Sequence, residues 1–258
     1  MTALDPLRPA QRLDRPGGGH IAYRQTPGRA PGVLFLPGFR SDMTGTKATV
    51  LEASCRERGH AFLRFDYSGH GESSGNFEDG TIGAWLEDAI LAIDGLTDGP
   101  QVLVGSSMGG WIALLAALAR PERVSGLVGI APAPDFTEDL VWSVATPEQR
   151  RALESTGVWY EPSAYSEEPT PITMKLIEEG RRHLLLRAPI PLTCPTRLIH
   201  GMRDEDVPWA TSLRLAEALE SADVEIALVK SGDHRLSEDA DLARLQEVVA
   251  RLLDQLSP

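Results

Sequence analysis

Short uninterrupted apolar runs alternate along this chain with longer stretches in which apolar positions recur every three or four residues. Gly32-Val33-Leu34-Phe35-Leu36-Pro37, His60–Phe65, Gln101–Val104, Val124–Ile130, Thr196–His200 and Val224–Val229 read as buried strands. Helical spacing fills about 46–58, 81–96, 110–119, 209–220 and 238–256. A strand covered on both faces has no polar side to show, so its sequence is a continuous apolar run. Such runs alternating with amphipathic helices predict an α/β fold, with a mostly parallel central sheet and helices on both faces.

The alternation breaks once. From Pro134 to Pro191 the chain carries three helix-like pieces, many prolines and no strong strand, together with Trp142, Trp159, Tyr160, Tyr165 and Met174. An insertion of this length predicts a helical cap, placed after the sixth strand and lying over the strand ends. The alternative is ordinary helices packed on the sheet. No internal repeat divides the rest, so residues 1–258 are expected to form one domain with the cap at 134–191 inside it.

Composition narrows the class. The chain has 258 residues, 42% of them hydrophobic and 24% charged, which excludes a disordered chain, a collagen-like fibre and a disulfide scaffold. Its net charge of −12 and lack of a basic stripe argue against nucleic acid as a partner. Cys55 and Cys194 read as buried free thiols. No run is long and apolar enough to span a bilayer. The opening MTALDPLRPAQRLDRPGGGH lacks the apolar stretch of a secretory signal and mixes Asp5 and Asp14 with its arginines, unlike a transit peptide. A cytoplasmic protein is the expectation.

The strongest chemical signal is Gly105-Ser106-Ser107-Met108-Gly109-Gly110, which follows the Gln101–Val104 run and precedes the helical 110–119 stretch. In G-x-S-x-G the glycines flank a sharp strand-to-helix turn that projects the central serine, here Ser107, from the sheet edge at a helix N-terminus. A serine hydroxyl needs a base, and the base needs an orienting carboxylate; where the serine sits on such a G-x-S-x-G turn, the chain order is serine, acid, histidine. Of the six histidines, only His183, His200 and His234 follow Ser107. His183 lies in the insertion, where a surface role is expected, and His200 ends a strand, where packing is expected. His234, in the Ser231-Gly232-Asp233-His234-Arg235 loop, is the candidate base. Asp204 is the candidate acid, three residues beyond the strand-ending Gly201 and set by Val207-Pro208; Asp206 is its rival. The oxyanion donors are expected to be the amides of Met108 and of Phe39 in the Pro37-Gly38-Phe39-Arg40 loop.

These residues resemble the α/β-hydrolases, and the resemblance runs from Pro37-Gly38-Phe39 to His234. Asp66-Tyr67-Ser68-Gly69-His70-Gly71-Glu72-Ser73 is similar to that family's D-x-x-G-x-G-x-S loop, which buttresses the early strand loops. Within the family, Pro37–Lys47, Arg64–Gly75, Gly99–Trp111, Gly157–Trp159, Tyr165–Glu168 and Pro189–Trp209 are most similar to a mitochondrial thioesterase. That enzyme removes palmitoyl groups from protein cysteines and also hydrolyses acyl-glucuronides. The resemblance implies Ser107 as nucleophile, Asp204 as acid and His234 as base. It implies a small-molecule acyl ester or thioester, or an S-acylated protein, as substrate. Because the opening residues do not read as a transit sequence, the expectation is a bacterial, cytoplasmic relative.

An acyltransferase using the same triad, and a small-molecule-binding fold that has lost its chemistry, are the competing readings. Serine rather than aspartate at the nucleophile position disfavours dehalogenation. Neither H-E-x-x-H nor C-x-x-C occurs, so no metal is expected, and no cofactor is implied. Trp142, Trp159 and Tyr160, with Met108, are candidates for an apolar acyl pocket, the alternative being that they are cap core. Arg40, Lys47 and Arg235 neighbour the site loops and are candidates to bind a substrate carboxylate, the alternative being solvated loop charges.

Overall fold

A computed structural model of the chain describes residues 9–162 and 168–257. Ten strands are formed among them: β1 (Gln11–Asp14), β2 (His20–Thr26), β3 (Arg29–Leu36), β4 (His60–Phe65), β5 (Gln101–Ser106), β6 (Val124–Ile130), β7 (Val158–Glu161), β8 (Thr170–Thr173), β9 (Thr196–Gly201) and β10 (Val224–Val229). The helices are α1 (Thr46–Glu57), α2 (Ile82–Leu96), α3 (Met108–Ala119), α4 (Pro147–Thr156), α5 (Met174–Gly180), α6 (Ala210–Ala218) and α7 (Asp239–Leu256). Eight strands make one sheet in the order β1-β2-β4-β3-β5-β6-β9-β10. The first two pairings, β1 with β2 and β2 with β4, are antiparallel, and the rest are parallel.

The continuous apolar runs divide residue by residue between two cores. In β3, Leu34 and Leu36 face the layer holding α2, α3 and Leu215 of α6, while Val33 and Phe35 face the layer holding α1 and α7. Leu103 of β5 and Leu127 of β6 join the first layer; Val102, Val104, Val128 and Ile130 join the second. Because side chains alternate across a strand, a sheet covered on both faces needs both parities apolar. That requirement is why these strands carry no polar alternation, and the α/β expectation holds.

Two features depart from the pattern. The hairpin β1–β2 flanks the Pro16-Gly17-Gly18-Gly19 turn, ahead of the first run read as a strand; Gly18 and Gly19 turn its loop with φ of 93° and 77°. Its first strand, Gln-Arg-Leu-Asp, is an exposed sheet edge and has no apolar run to display. The segment between β6 and β9 is not purely helical. It contains a π-helical stretch at Thr137–Trp142, α4, the antiparallel hairpin β7–β8, and α5. Tyr165 lies outside the described residues.

Buried Asp135, with φ of 63°, ties the two ends of this segment together, accepting the amides of Leu185 (2.7 Å) and Leu186 (2.9 Å). Trp111 Nε1 donates to the His183 carbonyl at 3.0 Å and fastens the segment to α3. His183 is half-buried rather than a free surface group. Its Nε2 lies 2.6 Å from Glu179, whose other oxygen accepts the Gly83 amide at the start of α2. Cys55 is buried and Cys194 half-buried, and both are free thiols.

Candidate active site

Ser107 stands between the end of β5 and the start of α3 with φ of 54° and ψ of −119°, a conformation strained for any residue with a side chain. The turn is so tight that a Cβ on Gly105 would lie 2.3 Å from the Gly109 carbonyl oxygen, and one on Gly109 would lie 2.1 Å from that of Leu36. The two glycines let strand, helix and the β3 end close on one another, and the serine hydroxyl is left at the carboxyl edge of the sheet.

Ser107 Oγ lies 3.0 Å from His234 Nε2, and His234 Nδ1 lies 2.8 Å from Asp204 Oδ2. These three residues come from loops after β5, β9 and β10, three strands whose carboxyl ends point the same way. The Asp204 side chain is solvent-free and takes four hydrogen bonds. Oδ1 accepts the amides of Asp206 (2.9 Å) and Val207 (2.8 Å); Oδ2 faces His234 and, at 3.1 Å, His200 Nε2. Burial opposes its ionisation, but the bonds from His200 and His234, the His234 charge and the Val207 amide outweigh it, holding the carboxyl well below the usual range. Asp206, the rival, is exposed at the edge of the same cleft.

Met108 is the first residue of α3, so its amide has no acceptor within the helix. Phe39 lies on the facing loop, where a Cβ on Gly38 would touch Ser106 O at 3.3 Å and Ser107 Cβ at 3.5 Å. Asp66 braces that loop: its carboxylate accepts the Met43 amide (2.7 Å) and, from its own loop, that of Glu72 (2.8 Å). Burial raises the Asp66 carboxyl to about 6 despite these bonds.

The cleft in front of Ser107 and His234 has a volume of about 490 Å³. Arg40, Lys47 and Arg235 all line it, so the three cations share one cavity. Lys47 donates to the Arg235 carbonyl, and its ammonium is lowered to about 8, first by burial and then by the Arg235 guanidinium. Arg40 also reaches the hairpin segment, donating to the Pro169 carbonyl at 2.6 Å. Thr170, the first residue of β8, lines the cleft as well. Nothing local marks it in the sequence, since it sits among prolines without periodicity.

Trp142 and Trp159 do not line this cleft, which corrects the apolar-pocket expectation. They pack with Leu153, Ile172 and Ile177 in a small separate core of the inserted segment. Trp142 is flanked by the guanidiniums of Arg150 and Arg181, and Trp159 Nε1 donates to Glu161 at 2.6 Å. Tyr160 is 50% exposed and bonds Glu78 at 3.2 Å, in a neighbouring groove. The apolar residues that do line the cleft are Phe35, Pro37, Phe39 and Ala48.

The alpha/beta hydrolase family profile matches residues 33–250, which takes in all three polar side chains of the relay. The chain belongs to the alpha/beta hydrolase family. Its similarity to individual members of that family extends over nearly the whole length. Palmitoyl-protein thioesterase ABHD10 of Homo sapiens, a mitochondrial protein, is 47% identical over 246 residues, covering 95% of this chain and 80% of that one. The Bos taurus protein of the same name is 46% identical over the same share of this chain. The solved structure of mouse alpha/beta hydrolase domain-containing protein 10 superposes with a TM-score of 0.90 at 44% identity, covering 96% of this chain and 99% of the other.

These relatives overturn one expectation. Proteins this similar over 95% of the chain are mitochondrial by name, so the cytoplasmic assignment is withdrawn. It rested on the composition of the opening residues, a weak basis beside similarity along the folded chain. Among the described residues, no helix is long and apolar enough to cross a membrane.

Proposed function

We propose that this alpha/beta hydrolase cleaves carboxylic esters or thioesters through an acyl-enzyme on Ser107. The observation that carries this reading is the unbroken relay from Ser107 Oγ through His234 to Asp204, with bonds of 3.0 and 2.8 Å. His234 Nε2 takes the Ser107 proton as Oγ attacks the acyl carbonyl. The Asp204 carboxylate holds the Nδ1–H tautomer and stabilises the imidazolium that forms. The Phe39 and Met108 amides receive the oxyanion. Collapse expels the alcohol or thiol, protonated by His234, and a water deprotonated by the same ring releases the acid.

The similarity to palmitoyl-protein thioesterase ABHD10 supports a thioester of a long acyl chain as the substrate class. Arg40, Lys47 and Arg235 on the cleft wall support an anionic leaving group, such as the carboxylate-bearing sugar of an acyl-glucuronide. A panel of p-nitrophenyl esters and acyl-thioesters of increasing chain length, with an acyl-glucuronide beside them, tests both readings. Ser107→Ala is expected to lower turnover of every active member by roughly 10⁴-fold or more while the protein melts at an unchanged temperature. Turnover that survives Ser107→Ala sinks the acyl-enzyme. Arg40→Ala and Arg235→Ala are expected to depress the glucuronide more than the p-nitrophenyl ester; equal effects remove the anionic reading alone.

A further inference from the structure

His234 is not the only imidazole on Asp204. His200, the fifth residue of β9, is completely buried, and its ring spans three partners. Nδ1 lies 2.7 Å from Ser212 Oγ on α6; Nε2 lies 3.1 Å from Asp204 Oδ2 and 3.0 Å from the Val207 carbonyl. A carbonyl and an ionised carboxylate can only accept, so Nε2 must carry a proton. In the neutral ring Nδ1 then accepts, and the Ser212 hydroxyl supplies the hydrogen. Every polar atom of a ring without solvent contact is thereby matched, and the tautomer is dictated by its neighbours.

From this arrangement we infer that His200 is a positioning residue which, through its Nε2–H, sets both the orientation of Asp204 and how much of that carboxylate's charge acts on His234. The inference rests on the Ser107–His234–Asp204 reading proposed above. Two rings divide one oxygen, Oδ2, while the backbone occupies the other. Each donor to a carboxylate disperses its charge, so the His200 bond lessens the pull that Asp204 exerts on a protonated His234. The bond also supplies a support independent of the Asp204–Val207 turn. Without it, the carboxylate is held by that turn and by the very ring it must orient.

Among the described residues, Asp206 on the same loop comes within 4.8 Å of Asp204 and His234, while Lys47 from α1 and Arg235 line the cleft that His234 also lines, with Asp233 adjacent in the chain. They are retained in every variant below. His200→Leu removes the donor, and the double variant His200→Leu/Ser212→Ala also removes the hydroxyl that would be left without its partner. His200→Gln keeps an N–H donor on a side chain of similar reach.

The expected results for His200→Leu are a kcat about tenfold lower on a p-nitrophenyl ester with little change in KM, and an acid limb of kcat/KM moved up by about half a pH unit. His200→Gln is expected to recover part of both changes. Ser212→Ala, which leaves Nδ1 without its donor and weakens Nε2–H, gives a smaller shift of the same sign. Should the leucine variants fail to fold, Ser212→Ala and the glutamine variant carry the kinetic comparison.

Histidine ¹⁵N spectra of the wild-type protein read the tautomer without any variant: His200 Nε2 protonated and Nδ1 bare. An acid limb at the wild-type pH in all variants, or a His200 ring protonated at Nδ1 and bare at Nε2, overturns the inference. A wild-type protein without Ser107-dependent hydrolysis instead defeats the functional reading, and the spectra still judge the ring geometry.

Discussion

Around Ser107 the backbone itself occupies the space a side chain would need. A Cβ on Gly109 would sit 2.1 Å from a carbonyl oxygen of β3, and the serine is held at a φ of 54° by strand, helix and loop together. In the segment between β6 and β9 the same residue type does a different job. Gly157 ends α4 with φ of 80°, and a Cβ there would meet nothing within 4 Å. The Ser107 turn is determined by steric exclusion among main-chain atoms. The inserted segment is determined by a few side chains, among them buried Asp135, the Leu153–Ile172–Ile177 core and Trp142 between two arginines. Reacting atoms must be held to fractions of an ångström, and an over-determined backbone does that. The inserted segment, which reaches the cleft through Thr170, rests on fewer contacts and tolerates change.

The contrast yields graded expectations. Asp204→Asn removes the carboxylate that fixes the His234 tautomer and should lower kcat by about 10³–10⁴-fold, measured on a p-nitrophenyl ester. The same variant tests acid stability. The folded carboxyl titrates below its unfolded value of 3.8, so its stabilisation is complete above that value and drains away as the pH falls below it. Urea unfolding of the wild type should therefore weaken between about pH 4 and pH 2 more steeply than that of Asp204→Asn. Equal slopes would mean that Asp204 is not an ionised, hydrogen-bonded carboxylate in the folded protein.

Next in size is a pair of glycine substitutions that sets the two regions against each other. Gly109→Ala should cost about 3 kcal/mol or more in denaturant unfolding, because the opposing atoms are backbone and cannot step aside. Gly157→Ala should cost about 1 kcal/mol, the penalty of a left-handed residue in open space. Similar costs at both sites would erase the distinction. The smallest effect is expected from Trp142→Leu, which loses the two guanidinium contacts at 5.1 and 5.2 Å, worth about 1 kcal/mol, and lowers the melting temperature. Because Trp142 is not among the residues that line the cleft, KM for a short ester should stay within about twofold of the wild type. A large rise in KM would return that tryptophan to the substrate wall.

Legibility follows the same division. Six strands, β3, β4, β5, β6, β9 and β10, and five helices, α1, α2, α3, α6 and α7, show in the chain because each must be apolar on the faces it buries. The helix starts are close to those expected, with α3 beginning at Met108 rather than 110. The edge strand Gln11–Asp14 is invisible because exposed edges carry polar residues. The β7–β8 hairpin is invisible for another reason: each strand has four residues, and β8 contains Pro171, which argues against a strand on sequence alone. Trp142 and Trp159 read equally well as pocket or core, since an aromatic ring is apolar in either place, and only their neighbours separate the two.

From the sequence come the strand–helix order, the G-x-S-x-G turn at Ser107, and the loops from which an acid and a base must be drawn. All three are local properties, set by periodicity and by which residues permit a sharp turn. Tertiary structure decided that Asp204 rather than Asp206 faces His234, that Arg40, Lys47 and Arg235 share one cavity, and that His200 competes for the same carboxylate oxygen. Those contacts join residues brought side by side by the strand order β3-β5-β6-β9-β10. No local pattern encodes which atoms meet there, because the distance between two loops depends on the packing of every strand and helix between them.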